Sequence, residues 1–481
     1  MRILFVTAEL SPFAKVGGLG DVAAALPAAL ARLGVDVRIA LPKYPTVPKP
    51  LRALGTFPVG TGTAAKPCSV FQGSLPDSGV PVYFVGHDPY FDRAGVYGEG
   101  GGGYPDELER FAFLSEAALG LCPAVGWIPD VVHANDWHTA LIPIALRSGV
   151  ASLEARSVFT IHNLAYQGWF PRERGEVLRL DSIGWQAVAR DGGINLLQGA
   201  IRTADRITTV SPTYAQEILT HGEGLESDLQ ARSDALTGIL NGIDTSSWDP
   251  ARDPHLWAPY SAADPSGKRE NKQHLQAELG LSDADGPLVG VVSRLAEQKG
   301  FDLMIAAFER MMALGVQFVV LGEGDPRYAS FFRDAERRYP GRVRALIEFS
   351  ERWAHRVEAA ADIFLMPSRF EPAGLNQLYS LRYGAVPVVR ATGGLRDTIR
   401  DYDPASDSGN GFSFGAYAAE AMLEALGRAV RMWHRDKPTW ARLVRRGMDE
   451  DHSWEDSARR YLHVYRRVLA DATPARPGAP S

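Results

Sequence analysis

Cysteine is almost absent from this chain: Cys68 and Cys122 are its only two, far apart and outside any Cys-x-x-Cys or Cys/His cluster. That excludes a disulfide framework and structural zinc and suits a reducing cytoplasm. Long apolar runs are missing too. No stretch of 18 apolar residues occurs, and the apolar run within residues 1–9 is too short for a signal peptide, so the chain reads as a cytoplasmic, soluble protein with no membrane partner. Positive charge is not in excess: 51 Lys and Arg stand against 57 Asp and Glu, a net charge of -6. Nothing here marks a nucleic-acid binder, and any phosphate must be held by a few placed cations. A neutral polymer or a small metabolite suits this surface better. Also lacking is a Gly-x-Gly-x-x-Gly fingerprint after the first apolar run, which disfavours a dinucleotide-dependent dehydrogenase.

What is present is a repeated alternation. At 481 residues the chain exceeds what one hydrophobic core usually supports, so two domains are expected. β-rich apolar runs recur at residues 3–7, 35–41, 80–85, 131–133, 158–161 and 207–210, separated by helix-length segments. The pattern restarts at 288–292, 318–321, 343–347, 363–366 and 386–389. Strands alternating with helices predict an α/β fold of two parallel, doubly wound, Rossmann-like sheets. Between the series lies a polar, Pro-rich stretch, read as a hinge over residues 241–254. An amphipathic helix over 457–469 precedes a Pro-rich tail expected to be disordered. Residues 17–33 read as a loop entering an Ala/Leu-rich helix, with Pro27 inside it and Gly34 at its C′ position. Residues 98–103, Gly-Glu-Gly-Gly-Gly-Gly, read as a flexible loop or as a mobile lid over an acceptor.

Two copies of one pattern frame the chain, Val16-Gly-Gly-Leu-Gly-Asp21 and Thr392-Gly-Gly-Leu-Arg-Asp397, each after a β-branched run. A glycine pair between strand and helix lets backbone N–H groups approach a phosphate at a helix N-terminus. One such loop per half suggests two domains facing a shared cleft and a sugar-nucleotide transferase. Lys15 precedes the first pair, and Arg294 and Lys299 follow a strand end, where open α/β sheets bind ligands. The most specific segment is Met366-Pro-Ser-Arg-Phe-Glu-Pro-Ala-Gly-Leu-Asn-Gln-Leu-Tyr-Ser-Leu-Arg-Tyr-Gly384, which sets Glu371 beside a helix start. His133-Ala-Asn-Asp-Trp-His138 lies at a strand end, where alternating directions split its side chains and argue against a metal site. Asp283-Ala-Asp285 resembles a metal-binding Asp-x-Asp but precedes its strand, so it reads as a solvated loop.

These segments, with His162-Asn-Leu-Ala-Tyr-Gln-Gly168, Ser211-Pro-Thr-Tyr-Ala, Leu240-Asn-Gly-Ile-Asp244 and Ser293-Arg-Leu-Ala-Glu-Gln-Lys-Gly300, closely resemble bacterial glycogen synthases and plant starch synthases, in order up to about Leu469. The resemblance implies the GT-B fold, with a first domain over 1–243, a nucleotide-sugar domain over 244–454 and a helix at 455–470 crossing back. It implies transfer of glucose from ADP-glucose to the non-reducing end of an α-1,4-glucan, glycogen or a malto-oligosaccharide, with retention and with no cofactor or metal. Lys15, Arg294 and Lys299 would bind the donor diphosphate, aided by backbone donors at Gly18, Leu375 and Asn376. His162 and Asn241 would meet the glucose, Asp136 would serve the donor sugar or the acceptor, and Glu371 would bind sugar hydroxyls and stabilise developing positive charge. Neither Glu371 nor Asp136 is assigned as a nucleophile.

Two positions depart from the family pattern. Ala373 stands where Cys is common, which removes a reactive thiol and keeps a small side chain. Phe349 stands where a Tyr is usual and keeps a ring to stack on the base. A related GT-B enzyme using UDP-glucose or making a small glucoside is the alternative. No segment fixes an oligomeric state.

Overall fold

The computed structural model describes residues 1–60, 65–99, 102–151, 153–282 and 286–471. Residues 100–101 of the glycine patch, the Asp283-Ala-Asp285 loop and the tail at 472–481 lie outside them. The chain forms two compact units, one of residues 1–210, 215–242 and 454–481, the other of residues 211–214 and 243–453. Residues 211–214, expected in the first domain, group with the second unit.

The first unit holds a nine-stranded sheet: β1 (Arg2–Val6), β2 (Asp36–Pro42), β3 (Arg52–Val59), β4 (Lys66–Ser74), β5 (Pro81–Gly86), β6 (Val131–Asn135), β7 (Arg156–Ile161), β8 (Arg206–Thr209) and β9 (Leu236–Gly238). Their order is β9-β8-β7-β6-β1-β2-β5-β4-β3. The run from β9 through β5 is parallel, whereas β4 pairs antiparallel with both β5 and β3. Central strands buried on both faces are continuously apolar, as Ile3 to Val6 in β1 are, each fully buried. The β3–β4 hairpin escapes the sequence pattern because most of β3 is exposed or half-buried.

The second unit holds a wholly parallel sheet of β10 (Leu288–Val292), β11 (Gln317–Leu321), β12 (Val343–Leu346), β13 (Ile363–Met366), β14 (Val386–Arg390) and β15 (Phe412–Phe414), in the order β12-β11-β10-β13-β14-β15. Within the parallel run of each sheet the strand order reverses at one place, between β1 and β6 and between β10 and β13. The carboxyl ends of strands at such a reversal form the ligand crevice of an open α/β sheet.

The helices that bear on the site are α1 (Gly18–Arg32), α2 (Glu351–Ala360), α3 (Asn376–Arg382), α4 (Gly393–Thr398) and α5 (Trp454–Ala470). Helix α1 carries Pro27 inside it and closes as expected: Gly34, at φ 81, donates its N–H to Ala31 and Val35 donates to Leu30, which satisfies the last carbonyls. Helix α5 belongs to the first unit and is anchored there by His133. The His133 Nδ1 lies 2.7 Å from Tyr465 Oη and its Nε2 lies 2.5 Å from Thr160 Oγ1. Burial lowers its pKa to about 3, so the ring is neutral.

The chain passes from the first unit to the second between residues 242 and 243, at the start of the stretch read as a hinge, and the rest of that stretch, residues 243–254, packs into the second unit. The Trp248 ring is sandwiched between His355 and Tyr379, 3.8 Å from each, and the Asp253 carboxylate accepts from His355 Nδ1 and Tyr383 Oη at 2.6 Å each. Its polar residues are there to pair buried groups of α2 and the turn after α3. Among the described residues no helix is long and apolar enough to cross a membrane. Tyr465→Phe is expected to leave the buried His133 nitrogen unpaired and cost about 1–3 kcal/mol. Calorimetry should read this as a lower melting temperature, and an unchanged transition would mean that the contact does not anchor α5.

Candidate active site

Beyond β1 the chain turns so that Glu9, only 4% exposed, points its carboxylate at the first glycine loop. Its Oε2 accepts the N–H groups of Val16 and Gly17 at 2.7 Å each, and its Oε1 accepts Tyr97 Oη at 2.6 Å. Gly18 then opens α1, and Lys15 Nζ lies 2.8 Å from Asp21 Oδ1, partly exposed. Glu9 was not singled out in the sequence, although it stands beside the Lys15 motif. A buried carboxylate must find N–H or O–H donors, and here it finds the loop itself.

At the end of β6, Asp136 adopts φ 55, a conformation uncommon for a residue with a side chain. Three backbone contacts hold it there: its N–H donates to Thr160 at 2.9 Å, its carbonyl accepts from Thr139 at 3.1 Å, and its Oδ1 accepts the N–H of His162 at 2.7 Å. Burial raises its pKa to about 7, and the N–H groups of His162 and Asn163 only partly oppose this. His162 follows β7, and its Nε2 lies 2.9 Å from Asn135 Oδ1. Because Asn135 Nδ2 donates to the Val6 carbonyl at 3.0 Å, its oxygen faces the ring, which must therefore carry its proton on Nε2. Burial holds the His162 pKa near 3, so this imidazole is neutral. His138 is neutral for the same reason and stacks on Tyr97 at 4.7 Å. Asn241 is buried, and its Oδ1 has no hydrogen-bond partner among the described residues, so a ligand hydroxyl would find an acceptor there.

In the second unit Arg294 follows β10, exposed and without an ion pair to any described residue. Lys299 Nζ lies 2.7 Å from Glu371 Oε2, which also accepts Ser368 Oγ at 3.0 Å. Glu371 is 5% exposed, so the lysine and the hydroxyl satisfy a carboxylate that water does not reach freely. Leu375 caps α3, whose first-turn N–H groups have no partner within the helix. Asn376 ties that end to the sheet by donating to the Val292 carbonyl at 2.5 Å. Phe349, just before α2, is 78% exposed, a free ring face.

The second glycine pair is corrected by the structure. It does not open its N–H groups to a phosphate; it packs on the Glu371 turn. Gly394 donates to the carbonyls of Glu371 and Pro372 at 3.1 and 3.2 Å, and a Cβ at Gly393 or Gly394 would stand 2.0 Å from Glu371 O or 1.9 Å from Ala373 O. Ser211 and Thr213 clasp the same region: Ser211 Oγ donates to Pro372 O at 2.7 Å, and Thr213 donates through N–H and Oγ1 to Asp397 at 2.8 and 2.6 Å. Ser368, Ser211 and Asn135 stand within the motif strings quoted above but were given no role of their own there.

Two doubly wound α/β units, with cations and a buried carboxylate at strand ends in one and a neutral, polar strand-end cluster in the other, define a glycosyltransferase of the GT-B class. Residues 2–231 match the starch synthase catalytic domain family, and residues 274–444 match the glycosyl transferases group 1 family. The chain is similar to glycogen synthase of Anaeromyxobacter dehalogenans (strain 2CP-C), 49% identical over 97% of this chain and 100% of that one. It is likewise similar to glycogen synthase of Syntrophotalea carbinolica, 46% identical over 98% and 99%. Among solved structures, the catalytic domain of starch synthase IV from Arabidopsis thaliana, bound to ADP and acarbose, matches with a TM-score of 0.90 at 38% identity over 98% of this chain and 99% of that one. The chain belongs to the glycogen synthase family.

The raised Asp136 pKa carries a sign. Protonated Asp136 favours the folded state, a contribution complete below about pH 4 and lost as pH rises through about 7. Asp136→Asn, which cannot ionise, is therefore expected to melt higher than the native chain at pH 8 but close to it at pH 4. The same difference at both pH values would contradict a raised carboxyl.

Proposed function

We propose that this enzyme transfers glucose from ADP-glucose to the non-reducing end of an α-1,4-glucan with retention, in the cytoplasm, without a metal or cofactor. The observation that carries the reading is the Lys299–Glu371 pair at the strand reversal of the second unit, within a chain that matches glycogen synthases over nearly its whole length. Breaking the bond between C1 and phosphate leaves an oxocarbenium-like sugar and a nucleoside diphosphate gaining negative charge. Cations belong at the phosphate and carboxylates at the sugar.

Arg294 and Lys299 take the diphosphate, with the N–H groups of Leu375 and Asn376; Lys15 and the Gly18 amide are the first unit's own candidates for a phosphate. Each charge-assisted contact is worth roughly 1.5–3 kcal/mol. Glu371 holds sugar hydroxyls and offsets the positive charge that develops at C1. His162, neutral, acts through its hydrogen-bonding groups rather than a charge, Asn241 offers its unpaired oxygen to the glucose, and Asp136 serves the donor sugar or the acceptor. Phe349 stacks on the base, and a purine gives it more area than a pyrimidine. Aromatic stacking is worth roughly 0.5–1.5 kcal/mol beyond burial.

Release of nucleoside diphosphate from ADP-glucose and from UDP-glucose, each with and without glycogen, tests the reading. ADP-glucose with glycogen is expected to be the most efficient pair. Equal or better efficiency with UDP-glucose would move the enzyme to the alternative donor. Glu371→Gln keeps the shape and removes the charge, so turnover is expected to fall while donor affinity changes little, as for a contact strengthened in the transition state. Weaker donor binding at unchanged turnover would make Glu371 a substrate clamp.

A further inference from the structure

Of the ten large hydrophobic side chains that are exposed among the described residues, four (Tyr166, Trp169, Val177 and Ile183) fall between residues 166 and 183 of the first unit. Tyr166 stands on the loop that begins at His162, and Trp169 opens the short strand that follows it. Tyr166 is 51% exposed and Trp169 54%, whereas Trp127, Trp137 and Trp454 of the same unit are buried. A half-exposed tryptophan costs a soluble protein apolar surface in water, so what holds it there matters.

The ring of Trp169 is seated, not loose. It lies against Gly193: a Cβ at that glycine would stand 2.8 Å from Trp169 Cζ2 and 2.9 Å from Cε2, so a side chain there would displace the ring. Trp169 pairs antiparallel with Asn195 in the small sheet of Trp169–Pro171, Ala189–Arg190 and Gly193–Asn195. The loop before it is fixed at both sides. Asn195 Nδ2 donates to Gln167 Oε1 at 2.6 Å, Gln167 Nε2 donates to the Glu223 carbonyl at 3.0 Å, and the N–H groups of Leu196 and Leu197 donate to Gly168 and Gln167 at 3.1 and 3.0 Å. From beneath, Gly168 rests on the ring of Trp137, where a Cβ would come within 2.6 Å of Cε3, and Phe170 meets the same ring at 5.7 Å. Trp137 is the neighbour of Asp136.

We propose that Tyr166 and Trp169 form a stacking platform for an α-glucan chain, holding glucose units beyond the one that reacts. This rests on the glucan reading given above. A polymer substrate continues past its reacting end, and a neutral one offers no charge to grip, only the flat apolar faces of its sugar rings and their hydroxyl edges. A rigid aromatic face supplies the first contact at little conformational cost, and polar neighbours such as Asn163 and Gln167 can supply the second. Seven residues separate Trp169 from His162, a contour of at most about 25 Å, which keeps the platform within reach of a short run of glucose units. A second protein would also want apolar area, but the seated, half-exposed rings beside the Asp136 and His162 segments favour a sugar chain.

The test uses the full chain in native gels containing glycogen, with the glycogen dependence of the reaction measured alongside. Trp169→Ala is expected to weaken glycogen binding about 3- to 10-fold and to raise the Michaelis constant for glycogen by the same factor. Tyr166→Ala should act in the same direction, and Trp169→Phe should retain most of the affinity. Because both side chains are half exposed, the melting temperature should change little, and Tyr166→Ala stands as an independent variant should Trp169→Ala misfold. Native glycogen affinity in folded Trp169→Ala and in Tyr166→Ala would overturn the platform, as would a loss of self-association on size exclusion with glycogen binding intact. If the native chain binds glycogen through these rings yet releases diphosphate from neither donor, the transfer reading fails and the platform stands. Normal transfer with unaltered variants gives the reverse, and a native chain that does not bind glycogen overturns the platform outright.

Discussion

The turn Glu371-Pro372-Ala373 is the contact on which the second unit's site depends. Its carbonyls are all engaged at close range: Glu371 O and Pro372 O by Gly394 N–H, Pro372 O again by Ser211 Oγ, and Ala373 O by Gln377 Nε2 at 3.1 Å. No side chain fits between this turn and Gly393-Gly394, since any Cβ would fall within 2.0 Å of a carbonyl oxygen. From this fixed backbone the Glu371 carboxylate reaches Lys299 and Ser368. A buried carboxylate is costly unless paired, so the pair and the turn hold each other in place. Helix α3 leaves the turn immediately, and its far end is held in turn: Lys268 Nζ donates to the carbonyls of Ala359, in the last turn of α2, and of Tyr383, just past α3, at 3.0 and 2.8 Å.

The first unit solves a different problem. Burial removes the charge from His133, His138 and His162, each with a pKa near 3, and leaves Asp136 with N–H donors but no cation beside it. Apart from the glycine loop, where Glu9 holds the backbone and Lys15 pairs with Asp21, its strand-end cluster is built from neutral dipoles and one carboxyl whose ionisation lies close to physiological pH. Such a set suits a sugar, whose hydroxyls both donate and accept, and not a diphosphate, which needs fixed positive charge. The positive φ of Asp136 is held by its backbone bonds to Thr160 and Thr139 and by the His162 N–H on its carboxyl, and that same N–H opposes the rise in its pKa.

The parallel strands were legible in the sequence because a strand buried on both faces must be apolar throughout: residues 288–292 and 363–366 were marked residue for residue, and β1, β2 and β5 within one. The exposed β3–β4 hairpin and the three-residue strands near Trp169 carry no such run and were missed. The stretch read as a hinge over 241–254 does contain the unit boundary at 242/243, but its aspartates look solvated in the sequence, and only the structure reveals that Asp253 meets a buried histidine and a tyrosine. Lys15, Arg294, Lys299, Asp136, His162 and Glu371 were singled out through motif strings. Glu9 and Ser368 were not, since their importance lies in which N–H, hydroxyl or carboxylate stands opposite, a property of the folded chain alone.

The two Gly-Gly-Leu-x-Asp strings make the same point from within one sequence. Locally they are alike, each a strand followed by a turn into a helix. In the first, no atom lies within 4 Å of where a Cβ at Gly17 would be, its N–H is held by Glu9, and Asp21 faces Lys15. In the second, both glycines are there because carbonyl oxygens lie under them, and Asp397 faces Thr213. One string shapes a loop whose surface stays open, and the other serves as a spacer of zero thickness behind a carboxylate. The local pattern dictates the strand-turn-helix path; the partner across the turn decides whether that path ends in a binding surface or in a packed contact.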